Sequence, residues 1–365
     1  MSDTQVITLP GIVLPEGGPL RRHVRPPERR TELYLERYDR RTLIYDAARL
    51  PRGGVCLTTP RLLNLWPLLR DGLRRNGVAV RRRTFLRCEQ ITLRGPTDRL
   101  GLEINGSFHP IPLRDSAAPL FAGMRVLMAV NKDNDLDWIA DWARFHAGRH
   151  GAEGVLLFDN DSTTYAPEDI AARLGEVPGV ARAVVLSAPF PYGPADRGGR
   201  FDVPPRFFQT AMLNLARRDL VAQARAVLSV DVDELVAGPE NRSIFAAAEG
   251  HPLGMVTIPG VWVFPPLGTD GPVPQRAHLW QAEPPQPCHQ KWCIAPSGPM
   301  GRIGWNVHNT GGPLQPLFTV SKDFQLLHCR ATSTGWKPGR FAPPAELRRD
   351  ERIFALMERA FERPD

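Results

Sequence analysis

The chain has 365 residues, with 46 Lys and Arg against 39 Asp and Glu for a formal charge of +7, and 42% hydrophobic residues. That balance is typical of a folded globular protein and excludes a low-complexity or disordered chain. No run of eighteen apolar residues suggests a membrane-spanning helix, and five cysteines are too few for a disulfide framework.

Residues 1–32 are rich in Pro, Gly and Arg without periodicity and predict a flexible leader. They lack a basic stretch followed by an apolar one, so a cytoplasmic protein with reduced thiols is expected. Residues 33–120 predict a small α+β region, with a strand at Thr42–Tyr45, a helix over Pro60–Asn76 and alternating runs such as "RCEQITL" and "LGLEINGSFHPIPL". No chemical motif lies in it. Acceptor binding and docking at a membrane surface are the open alternatives for its role. Arginine supplies all but four of the basic residues, in clusters at 21–30 and 81–83.

The pattern changes at Met124. "RVLMAV" (125–130), "GVLLFDN" (154–160), "ARAVVLSAP" (181–189) and "RAVLSVD" (225–231) are short apolar runs, as buried parallel strands should be. Helices are predicted between them: the stretch after "NKDND" that stops at Gly151, then "PEDIAARLGEV", then a long helix over 206–224. A Pro/Gly-rich loop covers 189–205. Alternating strands and helices argue for a doubly wound, mostly parallel sheet. After Val236, "GMVTIPGVWVFPP", "HQKWCIAP" and "FQLLHCR" predict a smaller mixed-sheet region. Residues 341–365 predict an amphipathic terminal helix. The domain reading is thus 1–32, 33–120, 121–340 and 341–365, in the α/β class.

In such a sheet, ligands bind beyond the carboxyl ends of the strands. Three polar clusters fall there: Asn131 to Asn134, Asp159 to Ser162, and Asp231, Asp233 and Glu234. In extended chain, Asp231 and Asp233 point the same way and can share one hard cation, Mn2+ or Mg2+, whose remaining ligands are water and phosphate oxygens. Such a cation neutralises a diphosphate leaving group. Asp159 is then expected to accept hydrogen bonds from base or ribose, and Lys132 and Lys291 to contact phosphate. His308 and His328 each follow a short apolar run, and either can add a third metal ligand. Trp138, Trp142 and Phe145 are expected in the core; Trp262, Trp292 and Trp305 are the candidates for stacking on a sugar.

The ordered series "VNKDNDLDWIADWARFHAGRHGAEGVLLFDNDST", "FFQTAMLNLARRDLVAQARAVLSVDVDELV", "HQKWCIAP", "VHNTG" and "LLHCRATS" resembles the glycosyltransferases of family 92 and the related family-2-like group, over about residues 121–340. The resemblance implies a GT-A fold and transfer of a sugar, often with inversion, from a nucleotide-sugar with help from manganese or magnesium. Matched to its motifs, Asp231 and Asp233 are the metal carboxylates, and Asp159, Asn160 and Ser162 the donor-side strand end. Gln209 and Asn214 match polar positions on the preceding helix, and His308 and His328 the downstream histidines. Asp137, Leu235 and Cys329 stand where the family has Glu, Phe and Tyr. Asn131, Lys132 and Lys291 complete the expected donor contacts.

An inverting transfer needs a general base. Glu234 and Glu283 are the first candidates, with Asp270 and Asp323 also open. The expected partners are a UDP- or GDP-sugar and a glycan or other hydroxyl acceptor, without nucleic acid, in polysaccharide or glycan synthesis at or near the inner membrane surface. The alternatives are another divalent-metal phosphate enzyme, namely a nucleotidyltransferase or nuclease, and a non-catalytic carbohydrate-binding relative.

Overall fold

The structure is a computed structural model that describes residues 2–51, 53–97, 100–194, 203–310, 315–332, 344 and 346–361. Residues 195–202 of the expected loop, Gly311 of "VHNTG", Ser333 of "LLHCRATS" and residues 341–343, 345 and 362–365 of the expected tail helix lie outside them. The chain divides into two compact units. The first is Met1–Ile7, Leu120–Ser187 and Gln223–Asp365; the second is Thr8–Pro119 and Ala188–Ala222.

The first unit is built on a nine-stranded sheet. Its strands are β1 (Asp3–Thr8), β2 (Arg125–Asn131), β3 (Gly154–Asp159), β4 (Arg182–Ser187), β5 (Ala226–Ser229), β6 (Glu234–Ala237), β7 (Met255–Val263), β8 (Pro287–Ile294) and β9 (Gln325–Cys329). They run in the order β1-β4-β3-β2-β5-β8-β7-β9-β6. Strands β4, β3, β2 and β5 are parallel neighbours, and their carboxyl ends share one edge. Strand β8 lies antiparallel between β5 and β7, β9 is parallel to β7, and β6 closes the row antiparallel to β9. The fold is therefore mixed α/β with a large sheet, as its alternating apolar runs require.

Four helices of this unit line its core: α1 (Leu136–His150), α2 (Pro167–Gly175), α3 (Ile244–Gly250) and α4 (Glu351–Phe361), beside a single helical turn at Pro316–Thr319. Asp135 caps α1 by accepting from the backbone N–H of Asp137 and Trp138, and Gly151 ends it in the left-handed conformation at φ 71°. Ile139, Ile170, Phe245 and Met357 from the four helices join Leu127, Val155, Val185 and Leu228 of the sheet in one core. The alternate side chains Val126, Met128, Leu156, Phe158 and Val184 are equally buried, which explains why these strands are apolar at every position. Trp142 and Phe145 are buried in the core, while Trp138 is half-buried.

The second unit holds a four-stranded antiparallel sheet of Asp46–Arg49, Val55–Pro60, Cys88–Arg94 and Ala79–Thr84, in that order. Helix Trp66–Arg75, entered through a 3-10 turn at Leu63–Leu65, packs Leu69 and Leu73 against Leu57, Ile91 and Leu93.

Three expectations are corrected. The leader is structured: Asp3–Thr8 is strand β1, and Arg21 is fully buried, donating to the backbone carbonyls of Asp39 and Thr42. Segment 188–222 belongs to the second unit, so the sheet domain is not one continuous stretch. The helix expected over 206–224 is only Phe208–Arg218, because Asp219 leaves helical geometry and its carboxylate takes bonds from Arg114 at 2.6 Å and Ser116 at 2.6 Å.

Candidate functional site

"LSVDVDELV" is not one strand. Strand β5 stops at Ser229, the chain turns through Asp231–Glu234, and β6 begins at Glu234. The Glu234 N–H donates to the Asp231 carbonyl at 2.9 Å, and the Asp231 N–H donates to Glu234 Oε2 at 2.7 Å, closing the turn from both sides. Asp231 and Asp233 therefore do not project side by side as extended chain requires.

The turn joins strands that have β8, β7 and β9 between them. Five residue steps reach about 17 Å. Four flat strand spacings span about 19 Å. The sheet must curl here, and the curl gathers side chains from every intervening strand around the turn. In register, His328 of β9 lies directly opposite Glu234 of β6 on one side and Trp262 of β7 on the other. Directly opposite residues share a face.

The result is a compact charged group. His328 Nε2 lies 3.2 Å from Asp233 Oδ2, and Nδ1 lies 3.5 Å from Glu234 Oε1. Asp233, Glu234 and His328 each offer a ligand atom within 4.8 Å of the others. Lys291 of β8 places its ammonium 2.7 Å from Asp231 and 3.1 Å from Glu234. Burial pushes the Glu234 carboxyl up to about 7, against the opposing pull of Lys291. Burial also opposes the charge on Lys291, but Asp231 and Glu234 outweigh it and hold the ammonium protonated. When all three carboxylates ionise they carry three negative charges against one on Lys291. The remaining two match one divalent cation, which the carboxylate and imidazole groups of Asp233, Glu234 and His328 could hold.

The Trp262 ring lies tilted against His328 with centroids 4.0 Å apart, and the Arg330 guanidinium lies 4.7 Å from the same indole. Beneath the turn, the buried Gln275 amide donates to the carbonyls of Val232 and Trp138, both at 2.9 Å.

A second polar group stands at the ends of β2 and β3, on the edge where Asp231 leaves β5. Asn131 pairs in register with Asp159. Its amide donates to Asp159 Oδ1 at 2.9 Å, with Tyr165 Oη at 3.1 Å. The Ser162 hydroxyl and N–H both donate to Asp159, at 2.6 and 3.2 Å. Lys132 donates to the carbonyls of Asn160 and Asp161, and the Asp133 carboxylate accepts from the Thr163 N–H at 2.6 Å. Asp133 and Asp161 hold left-handed backbone at φ 51° and 62°, which lets two tight loops face each other. Asn131, Asp159 and Asn160 are buried. Hydrogen bonds to Asp159, Ser162 and Lys132 thus fasten the two loops together.

The structure brings Asp231, Asp233, Glu234, Lys291 and His328 into one group, and Asn131, Lys132, Asp159, Asn160 and Ser162 into the other. His308 stands apart from the metal-ligating set. Its Nδ1 bonds the Gln290 carbonyl at 3.1 Å, its ring stacks on His289 at 4.6 Å, and burial together with Lys291 lowers it to about 4. Glu283 follows a separate two-stranded sheet of Trp280–Ala282 and Leu347–Arg349, where it is exposed and faces Arg348 at 3.6 Å. Gln209 and Asn214 belong to the second unit. Gln209 accepts from the Tyr192 hydroxyl at 2.9 Å, and Asn214 donates to the Thr210 carbonyl at 2.8 Å. Trp292 and Trp305 are fully buried against each other, so neither is a stacking surface. Sequence reasoning missed Gln275 and Arg330. Arg330 is marked by its place two residues after His328, whereas nothing in the sequence marks Gln275.

No protein-family model matches the chain, and no curated protein matches it. Among the described residues, no helix is long and apolar enough to cross a membrane.

Proposed function

We propose that the chain is a metal-dependent glycosyltransferase that moves a sugar from a nucleoside-diphosphate sugar to a hydroxyl acceptor. The observation that carries this reading is the donor set Asp233, Glu234 and His328 at the carboxyl edge of a mostly parallel sheet. The ordered motifs that resemble family 92 and the GT-A fold support it independently.

A manganese or magnesium ion in this set would supply charge neutralisation for the departing nucleoside diphosphate. Asp233, Glu234 and His328 would hold it. Lys291 keeps Asp231 and Glu234 in place and offsets part of their charge. The buried Glu234 is better suited to holding a cation than to taking a proton from an acceptor. Asp231, with its side chain 38% exposed, is the carboxylate that can meet a substrate group directly. The Asn131–Asp159 network gives the donor side a rigid rim, because its loops are fixed before any ligand arrives. The three-residue donor set can hold one divalent cation.

The test is calorimetric titration of UDP and of GDP, with and without manganese, into wild type and Asp233→Ala. One nucleotide should bind, and its binding should need both manganese and Asp233. A folded protein that binds neither nucleotide in the presence of manganese overturns the reading for both donor classes.

A further inference from the structure

The second unit carries a feature that the proposed transfer does not use. Strand Ala79–Thr84 is an edge of the four-stranded sheet and turns tightly into Cys88–Arg94, with the Phe85 N–H donating to the Cys88 carbonyl at 2.9 Å. Phe85 and Leu86 form the tip. Leu86 is 55% exposed. Arg61 braces the tip by donating to the carbonyls of Phe85 at 3.2 Å and Leu86 at 3.1 Å.

Guanidinium groups surround this tip. Arg83 lies 4.9 Å and Arg217 5.8 Å from the Phe85 ring centre. Arg81 shares a strand face with Arg83, since alternate residues point the same way. Both are exposed. Elsewhere in this unit, buried or bridging arginines meet carboxylates: Arg21 has Asp39, Arg114 has Asp46 and Asp219, and Arg61 and Arg82 share Glu89. Arg81, Arg83 and Arg217 form no ion pair among the described residues. Arg217 is 92% buried by side-chain packing yet bonds only neutral groups, Gln90 at 2.9 Å and Asn214 at 3.3 Å.

Arginines on an edge strand also block unwanted strand pairing. That role explains Arg81 and Arg83, but not an exposed leucine and a half-buried phenylalanine at the braced tip between them and Arg217. An apolar tip flanked by guanidinium groups that meet no carboxylate has two complements at once: hydrocarbon for the tip and phosphate for the arginines. A bilayer of anionic phospholipid offers both in one layer. Nucleic acid offers the phosphate alone.

We infer that the hairpin tip Phe85–Leu86, flanked by Arg81, Arg83 and Arg217, docks the chain on an anionic phospholipid surface. Leu86 enters the headgroup boundary, the exposed guanidinium groups of Arg81 and Arg83 contact lipid phosphates, and the buried Arg217 adds positive charge behind them.

The test is flotation of the full chain with vesicles of phosphatidylcholine alone and of phosphatidylcholine mixed with phosphatidylserine. Wild type should float only with the phosphatidylserine vesicles. Each exposed arginine near such a surface is worth about a fivefold change in partitioning. R81E/R83E should therefore bind more than about tenfold more weakly. Its thermal melt should match wild type, because both side chains are exposed. Leu86→Ser should reduce binding, and what remains should be lost at lower salt than in wild type. The inference is overturned if wild type ignores phosphatidylserine vesicles, floats equally with phosphatidylcholine alone, or keeps its binding in R81E/R83E. It is also overturned if the patch captures an RNA oligomer while leaving the vesicles unbound.

Discussion

Lys291 holds Asp231 at 2.7 Å from inside the sheet, with the lysine side chain almost completely buried and the aspartate side chain 38% exposed. The same ammonium reaches the buried Glu234. One internal cation thus anchors both ends of the Asp231–Glu234 turn and leaves Asp233 to face His328. Replacing Lys291 by Met removes the cation and keeps most of the volume. Breaking a buried ion pair from one side costs about 3–5 kcal/mol, since it strands the remaining charge. Urea unfolding at neutral pH should show a loss of that size. The deficit should shrink on acidification, as the orphaned carboxylates bind protons. A loss under about 1 kcal/mol, typical of surface pairs, means that the pair contributes little.

The two aspartates of the turn should not be equivalent toward a cation. Asp233 shares its ligand geometry with Glu234 and His328, whereas Asp231 is engaged by Lys291. Manganese titration without nucleotide should be weakened at least about tenfold by Asp233→Asn, as losses around metal sites usually are. Asp231→Asn should weaken it clearly less than Asp233→Asn does. Equal losses in the two variants would restore the side-by-side arrangement expected of an extended chain.

The apolar runs of the parallel strands were legible because both faces of each strand are buried, and Val126, Leu127 and Met128 leave no ambiguity of period. The cap and stop of α1 at Asp135 and Gly151 were equally plain. What the sequence hid is long-range. Glu234 meets His328 through strand pairing across almost a hundred residues, and nothing local announces that register. Asp-Val-Asp suggested a strand because its apolar neighbours did, yet the tight Asp231–Glu234 turn decides where the carboxylates point. Glu283 looked available as a base on charge alone, and only the fold shows it facing Arg348 on a different sheet. Segment 188–222 was read into the sheet domain for its βα spacing, although Asp219 ties it to Arg114 in the second unit.

The network at the ends of β2 and β3 predicts a stability effect separable from cation binding. Asn131 is fully buried, and its amide bonds Asp159 and Tyr165 while its carbonyl oxygen accepts from Asn134 at 2.8 Å. Asn131→Leu leaves buried polar groups without partners, at a cost of about 1–3 kcal/mol. Ser162→Ala, on the more open side of the network, should cost about 1 kcal/mol. Thermal melts check both, and manganese titration of the same variants should be unchanged. Loss of cation binding in Asn131→Leu at full occupancy of the fold would mean that the two polar groups act as one site.

Acid sensitivity should arise in α1. Burial lowers His146 to about 3 and His150 to about 4, and the rings lie 6.0 Å apart. His150 bonds the Val236 carbonyl through Nε2 at 2.7 Å, and its Nδ1 accepts from the Ile244 N–H at 3.4 Å, so the neutral ring uses both nitrogens. His146 bonds the Trp142 carbonyl through Nδ1 at 2.8 Å, and its Nε2 is buried without a partner. Both folded values lie below the ordinary histidine value near 6.5. Below that pH the unfolded chain takes up protons that the folded chain refuses, so stability falls as pH drops from about 6.5 toward 4. The slope approaches about 1.4 kcal/mol per pH unit for each histidine. Above pH 7 neither contributes a slope. Carboxylates held low in the fold, such as Glu249 beside Arg125, also lose stability in acid, but they act nearer to pH 4. Urea midpoints of wild type and His146→Leu between pH 7 and 5 separate the two sources. The variant should lose less stability than wild type over that interval, and parallel curves would remove His146 from the account.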